Sequence, residues 1–191
     1  INKMSTADKL KDLLNKPGII TLPGCYDAMS AKLIERAGFS GTFMSGFMVS
    51  AARIGMPDTG LISYNEMLDQ GRNISAAVSI PVIGDGDTGY GNAINVKRTV
   101  DGYAQAGMAC VMIEDQLAPK RCGHTNGKQV VSREDAYVRL QAAVDAREEG
   151  ADILIMARTD ANGTDGLDEA IERCKGFMDI GVDITFLEAP R

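Results

Sequence analysis

Six short runs along the chain are almost continuously apolar, and between them apolar residues return every three or four positions. The runs are GIITLPG (18–24), GTFMSG (41–46), IPVIGDGD (80–87), ACVMIED (109–115), DILIMARTD (152–160) and DITFLEAP (183–190). Continuous apolarity, as opposed to alternation, is what a parallel strand covered on both faces requires. The intervening periodicity predicts helices over 28–37, 64–78, 93–106, 132–149 and 166–180. Ser132 has the character of a helix N-cap with Asp135 three residues on, and Gly150 that of a stop. Gly38, Gly107, Gly150 and Gly181 each fall where a left-handed residue would end a helix.

The repeating unit is therefore strand, loop, helix, glycine, strand, with right-handed crossovers between parallel strands. An open doubly wound sheet and a (β/α)8 barrel both fit that rhythm. The strand ends separate them. Tyr26 and Asp27, Ser45, Asp85 and Asp87, Glu114 and Asp115, Arg158 and Asp160, and Glu188 put polar side chains at the carboxyl end of every run. A barrel spreads its site over all of its strand ends, whereas an open sheet gathers it at one switch point. The expectation is an α/β fold, a single barrel domain over residues 1–191 comprising the first six βα units, with the last strands and helices missing. Such an unclosed barrel would expose two strand edges, so aggregation or inactivity is expected of these 191 residues alone.

Composition narrows the function. The chain has 191 residues, 45% of them hydrophobic, enough for one sizeable core. A net charge of −6 argues against nucleic acid or an anionic membrane as the main partner. No apolar run approaches the roughly 20 residues of a membrane span, and INKMSTADKLKDLL lacks the profile of a secretory signal. The four cysteines, Cys25, Cys110, Cys122 and Cys174, form no C-x-x-C pair, and Cys110 and Cys174 read as small buried apolar groups. With one histidine, a zinc site is not expected. A cytoplasmic or organelle-matrix location follows.

Three places carry chemistry. In GDGDTGYG (84–91), Asp85 and Asp87 are two apart at a strand end and so face the same way, a donor pair suited to a hard ion such as Mg²⁺. The same letters also spell a polar turn with a helix cap. Arg158, ending an apolar strand, needs an anion: a substrate carboxylate, or an internal partner in Glu188 or Asp160. Ser45 and Gly46 offer backbone amides for an anion, or a plain tight turn. Finally EDQLAPKRCGHTNGK (114–128) sets Lys120, Arg121, Cys122 and His124 on a connector long for a barrel. Nearby positive charge would lower the thiol pKa and make Cys122 a usable proton donor or nucleophile on a closing lid. The bland alternative is a solvated basic loop.

Together PGCYDAMSA, SGFMVSA, GMPDTG, GDGDTGYG, IEDQ…KRCGH, MARTDA and LEA resemble, in order and interval, the isocitrate lyase/phosphoenolpyruvate mutase superfamily. KRCGH and GMPDTG resemble its lyase branch, which includes methylisocitrate lyase, dimethylmalate lyase and the petal death protein. The resemblance implies Mg²⁺ (or Mn²⁺) held by Asp85 and Asp87 with Glu114 in its shell. It implies a carboxylate grip of Ser45, Gly46 and Arg158, and Cys122 as catalytic acid on a gating loop with Lys120, Arg121 and His124. Tyr26, Asp58 and Glu188 would line the site, in a homo-oligomer (dimer or tetramer). The implied reaction is retro-aldol cleavage of a 2-hydroxy di- or tricarboxylate, such as 2-methylisocitrate or 2,3-dimethylmalate, to a 2-oxo acid and a carboxylate. The alternatives are an oxaloacetate hydrolase, a phosphonopyruvate P–C enzyme, and a carboxylate-binding barrel without turnover.

Overall fold

The computed structural model describes residues 4–190. Helix α1 (Thr6–Leu14) is followed by β1 (Gly24–Cys25), α2 (Ala28–Arg36), β2 (Thr42–Met44), a short α3 (Gly46–Val49) running into a wider turn (Ser50–Ile54), and α4 (Tyr64–Ala77). Then come β3 (Val82–Asp85), α5 (Ala93–Gln105), β4 (Cys110–Glu114), α6 (Arg133–Glu148), β5 (Leu154–Thr159), α7 (Leu167–Ile180) and β6 (Ile184–Leu187). The six strands form one parallel sheet in the order β1-β2-β3-β4-β5-β6. Strictly sequential order without a reversal is the arrangement of a barrel and excludes a doubly wound sheet.

Side chains alternate across each strand, and the two faces do different work. Val82, Val111, Ile113, Ile155 and Ala157 face outward into a core shared with the helices. Ile83, Cys110 and Leu154 face inward and pack on Ala7 and Leu10 of α1. That helix lies across the amino ends of the strands, where Thr6 Oγ1 donates to the Gly107 carbonyl at 3.1 Å and Lys9 Nζ to that of Ser79 at 2.8 Å. Two positions further along each strand, the inner face carries Asp85, Met112 and Met156, and the next step on β4 and β5 brings Glu114 and Arg158. The apolar plug and the polar mouth are thus opposite ends of one stack.

The five anticipated helices form with ends within a residue or two, and Ser132 caps α6 by accepting from the Asp135 amide. The first strand differs. Of 18–24 only Gly24 pairs, joined by Cys25, and Ile19 is 97% exposed. Pro23 has no N–H to offer a ladder; its carbonyl accepts from Phe43 N at 3.1 Å and Thr42 Oγ1 at 2.8 Å, and strand pairing starts after it. Helix α1 was not anticipated, since TADKLKDLL offers only Ala7 and Leu10 as fully buried positions. The four cysteines are free thiols; Cys25 and Cys110 are buried, Cys174 only half-buried. Among the described residues no helix is long and apolar enough to cross a membrane.

Leu10 is completely buried in the plug. Leu10→Ala should lower unfolding free energy by about 2–5 kcal/mol in a denaturant titration; a change below about 1 kcal/mol would mean that α1 does not seal the strand ends.

Candidate active site

The sequence at the end of β3 builds a strained turn. Asp87 has φ 48° and Tyr90 φ 61°, left-handed values uncommon outside glycine. The turn is over-determined by its neighbours. Asp87 N donates to Asp85 Oδ1 at 3.1 Å, Glu114 N to the Asp87 carbonyl at 2.8 Å, and the buried Tyr103 hydroxyl to the Asp85 carbonyl at 2.8 Å. Strain of this sort persists where the surroundings fix it, commonly at functional sites. Gly46 must be glycine here: its amide donates to Asp85 Oδ2 at 3.0 Å, and a Cβ would sit 2.8 Å from that oxygen. Ser45 caps α3 through Met48 N.

Around this turn six carboxylates are buried together: Asp58, Asp85, Asp87, Glu114, Asp160 and Glu188. Burial, then Asp85, pushes the Asp87 carboxyl up to about 7. Burial likewise holds the Glu114 carboxyl well above its ordinary range, against the pull of Arg158. Lys120 Nζ lies 2.5 Å from Asp58 Oδ1 and 2.7 Å from Asp87 Oδ1. Burial works against its charge, but Asp87, Asp85, Glu114 and Asp58 outweigh it and keep the ammonium protonated. Arg158 forms a bidentate pair with Asp160, Nε to Oδ2 and Nη2 to Oδ1 both at 3.0 Å, and lies 3.6 Å from both Glu114 and Glu188. It therefore has internal partners and still borders the cavity.

The connector after β4 is folded over the strand ends. Its stems are tied by Leu117 N to Gln129 O at 2.8 Å and Val131 N to Asp115 O at 2.9 Å, and its tip by Cys122 N to Asp58 O at 3.0 Å. Gln116 clamps both backbone groups of Arg121 at 2.9 Å. At Gly123 the backbone descends onto Arg158 and Glu188, and a Cβ there would collide with both. His124 is 79% exposed with Nε2 3.4 Å from Glu188 Oε1. Beneath the loop a cavity of about 680 Å³ is lined by Ser45, Asp58, Asp85, Cys122, Arg158 and Glu188 on its polar side, with Phe43, Phe47, Met48, Met112 and Phe186 on its apolar side.

Most of the residues read from the sequence thus meet at one mouth. Two stand apart. Arg121 is exposed and among the described residues its side chain reaches only the Asn126 carbonyl, at 3.4 Å, while Tyr26 is more than one-third exposed and outside the cavity lining. Others were not foreseen. Asp115 accepts from Thr159 Oγ1 at 2.7 Å, Asp160 N at 2.9 Å and Arg173 Nη1 at 3.0 Å, fixing the end of β5 from behind. Lys128 bonds Asp160 Oδ1 at 2.8 Å. Its place in GHTNGK marked it as loop, but nothing local names a partner on another strand.

Could the mouth hold a metal ion? Among the described residues no three His, Cys, Asp or Glu side chains converge as a closed cage. Yet Glu114 Oε1 is buried without any hydrogen-bond partner among them, and Asp87 Oδ1 has only the Lys120 ion-pair contact. An all-oxygen set with unmet carboxylate oxygens fits a hard cation such as Mg²⁺, which keeps several waters and needs few direct protein ligands.

A family model described as phosphoenolpyruvate phosphomutase matches residues 10–190. The chain belongs to that family. Its relatives in this phosphoenolpyruvate phosphomutase family include the 2,3-dimethylmalate lyase of Eubacterium barkeri, 46% identical over 187 residues, 98% of this chain and 64% of that protein. The solved oxaloacetate acetylhydrolase in complex with 3,3-difluorooxalacetate matches with a TM-score of 0.95 at 41% identity, over 98% of this chain and 65% of that one. Phosphonopyruvate hydrolase complexed with oxalate and Mg²⁺ matches with a TM-score of 0.88 at 32% identity, over 98% and 64%. The chain spans less than two-thirds of the length of these three family members.

Burial would raise the Asp160 carboxyl, but Arg158 and Lys128 hold it below the usual carboxylate range. Its folded pKa is thus below its unfolded one, so its stabilisation is present above about pH 4 and is lost as pH falls through the folded value. Asp160→Asn should therefore cost about 3–5 kcal/mol at pH 7, a gap that narrows below pH 3. A gap independent of pH in denaturant titrations would contradict this charge state.

Proposed function

We propose that the protein is a Mg²⁺-dependent carbon–carbon lyase that splits a 2-hydroxy di- or tricarboxylate into a 2-oxo acid and a second carboxylate. The observation that carries this reading is the Cys122 thiol bordering the same cavity as Arg158, Ser45 and Asp85, under a loop already folded across the mouth. A relative named for dimethylmalate cleavage supports it. Asp85 and Asp87 would hold the ion, with Glu114 beside them. When bound, it would supply Lewis-acid polarisation of substrate oxygens.

The chain's own groups do the rest. Arg158, braced by Asp160 through Nε and Nη2, borders the cavity and offers its remaining N–H donors to a substrate carboxylate. The hydroxyl proton passes to one of the carboxylates at the mouth, the C–C bond breaks, and its electron pair becomes an enediolate on the departing carboxylate. Cys122 gives that carbon a proton, and the thiolate is reprotonated before the next turnover. The folded loop excludes water, which strengthens each charge contact beneath it. The apolar wall of Phe47, Met48 and Phe186 would accept alkyl groups on the substrate.

A second reading, hydrolysis of oxaloacetate to oxalate and acetate, is favoured by the similarity to oxaloacetate acetylhydrolase. Products distinguish the two. The full-length protein with Mg²⁺ is incubated separately with 2,3-dimethylmalate, 2-methylisocitrate, isocitrate and oxaloacetate, and products are identified by mass. A 2-oxo acid with a partner carboxylate supports the lyase. Oxalate with acetate supports the hydrolase, and no product from any of the four would sink both.

Cys122→Ala should lower turnover about 100- to 10,000-fold while calorimetry still finds Mg²⁺ and oxalate binding; near-normal turnover would remove the thiol from the reaction. Asp87→Ala should weaken Mg²⁺ binding at least about tenfold, and an unchanged titration would refute the metal assignment.

A further inference from the structure

Three basic side chains of the loop, at 120, 124 and 128, each meet carboxylates of the mouth that the other two do not. Lys120 meets Asp58 and Asp87, His124 meets Glu188, and Lys128 meets Asp160. The first two border the reacting centre. Lys128 does not, and the chemistry above makes no use of it.

Its surroundings are nonetheless specific. The side chain is only 7% exposed, though it stands on an otherwise exposed loop tip. Nζ donates at 2.7 Å to the carbonyl of Gly123, the residue whose backbone rests on Arg158 and Glu188, and at 2.8 Å to Asp160 Oδ1. That same Oδ1 accepts from Arg158 Nη2 at 3.0 Å. One carboxylate oxygen is therefore divided between a cation of the barrel and a cation of the lid.

Charge counting shows what the division does. Arg158 faces Asp160, Glu114 and Glu188, three carboxylates against one guanidinium. The negative charge gathered around it weakens the arginine's pull on a further anion. A second cation on Asp160 draws off part of that negative charge and leaves Arg158 more of its own for an incoming carboxylate. That second cation stands on the loop and not on the barrel.

We propose that Lys128 is a positioning residue that latches the loop to the end of β5 and, by sharing Asp160 with Arg158, makes the arginine able to hold a substrate carboxylate. The second half rests on the carboxylate-cleaving reading of the site. The latch does not.

The test uses the full-length protein with Mg²⁺ and two readouts, hydrogen exchange of the peptide spanning 117–131 without ligand, and oxalate binding by calorimetry. Lys128→Met should speed exchange at the Cys122 and Thr125 amides and weaken oxalate binding, each about ten- to a hundredfold, the size of one charged hydrogen bond. The melting temperature should move by no more than about 4 °C. Lys128→Arg should restore most of both effects. Lys128→Gln keeps a donor for Gly123 but not the charge; it should spare loop protection more than oxalate affinity, and it gives the same readouts if the Met variant does not fold. Unchanged exchange in Lys128→Met overturns the latch. Faster exchange with unchanged oxalate affinity overturns the charge sharing. If the wild type itself binds no oxalate while Lys128→Met still loosens the loop, the carboxylate reading falls together with the charge sharing, and the latch stands.

Discussion

Buried negative charge has to be answered, and that constraint organises the carboxyl end of this sheet. Asp58, Asp85, Asp87, Glu114, Asp160 and Glu188 are all withdrawn from water within one mouth. An ionised carboxylate is not left unpaired in such a place; it acquires a cation or a proton. The barrel itself supplies Arg158, and Arg173 for neighbouring Asp115. The remaining compensation comes from outside the strands. Lys120 and Lys128 bring it on the loop, and a divalent ion would bring it from solution. Glu114 Oε1, buried without a hydrogen-bond partner among the described residues, marks where the protein's own answer stops.

The rest of the architecture serves to hold those charges in place. The inward face of each strand changes from apolar to ionic within a few residues, from Cys110 through Met112 to Glu114, and from Leu154 through Met156 to Arg158. Helix α1 closes the apolar end, and α5 and α7 reach the polar end from behind through Tyr103 and Arg173. A strand that must satisfy a hydrophobic plug at one end and an ion cluster at the other has little freedom of register, since a one-residue slip would turn both to the wrong side.

What the sequence made legible follows the range of the interactions. Helices α2, α4, α5, α6 and α7 were readable because periodicity and caps are local, as Ser132 and Asp135 illustrate. That Asp85, Arg158 and Glu188 would meet at one mouth was readable because a parallel barrel brings strand ends together whatever their distance in the chain. The error at 18–24 came from apolar letters around Pro23 that never enter the sheet, and α1 was hidden because two buried residues make no visible stripe. Pairings between elements could not be read at all. Nothing near Lys128 indicates Asp160, and nothing near Asp115 indicates Arg173 on α7; such contacts exist only once the sheet has been wound.

Gly123 sits where the lid meets the floor. Its bare backbone lets the loop come down until it touches Arg158 and Glu188, leaving no layer of solvent between them. A methyl group at that point would act as a doorstop: the lid could still swing, but it could not shut. The smallest change available to the chain would then separate two properties that the native protein keeps together, the ability to admit a ligand and the ability to isolate it. A protein wedged in that way would offer a means of catching the open form, with the carboxylates and Arg158 of the strand ends still in place and the loop's own cations held off them.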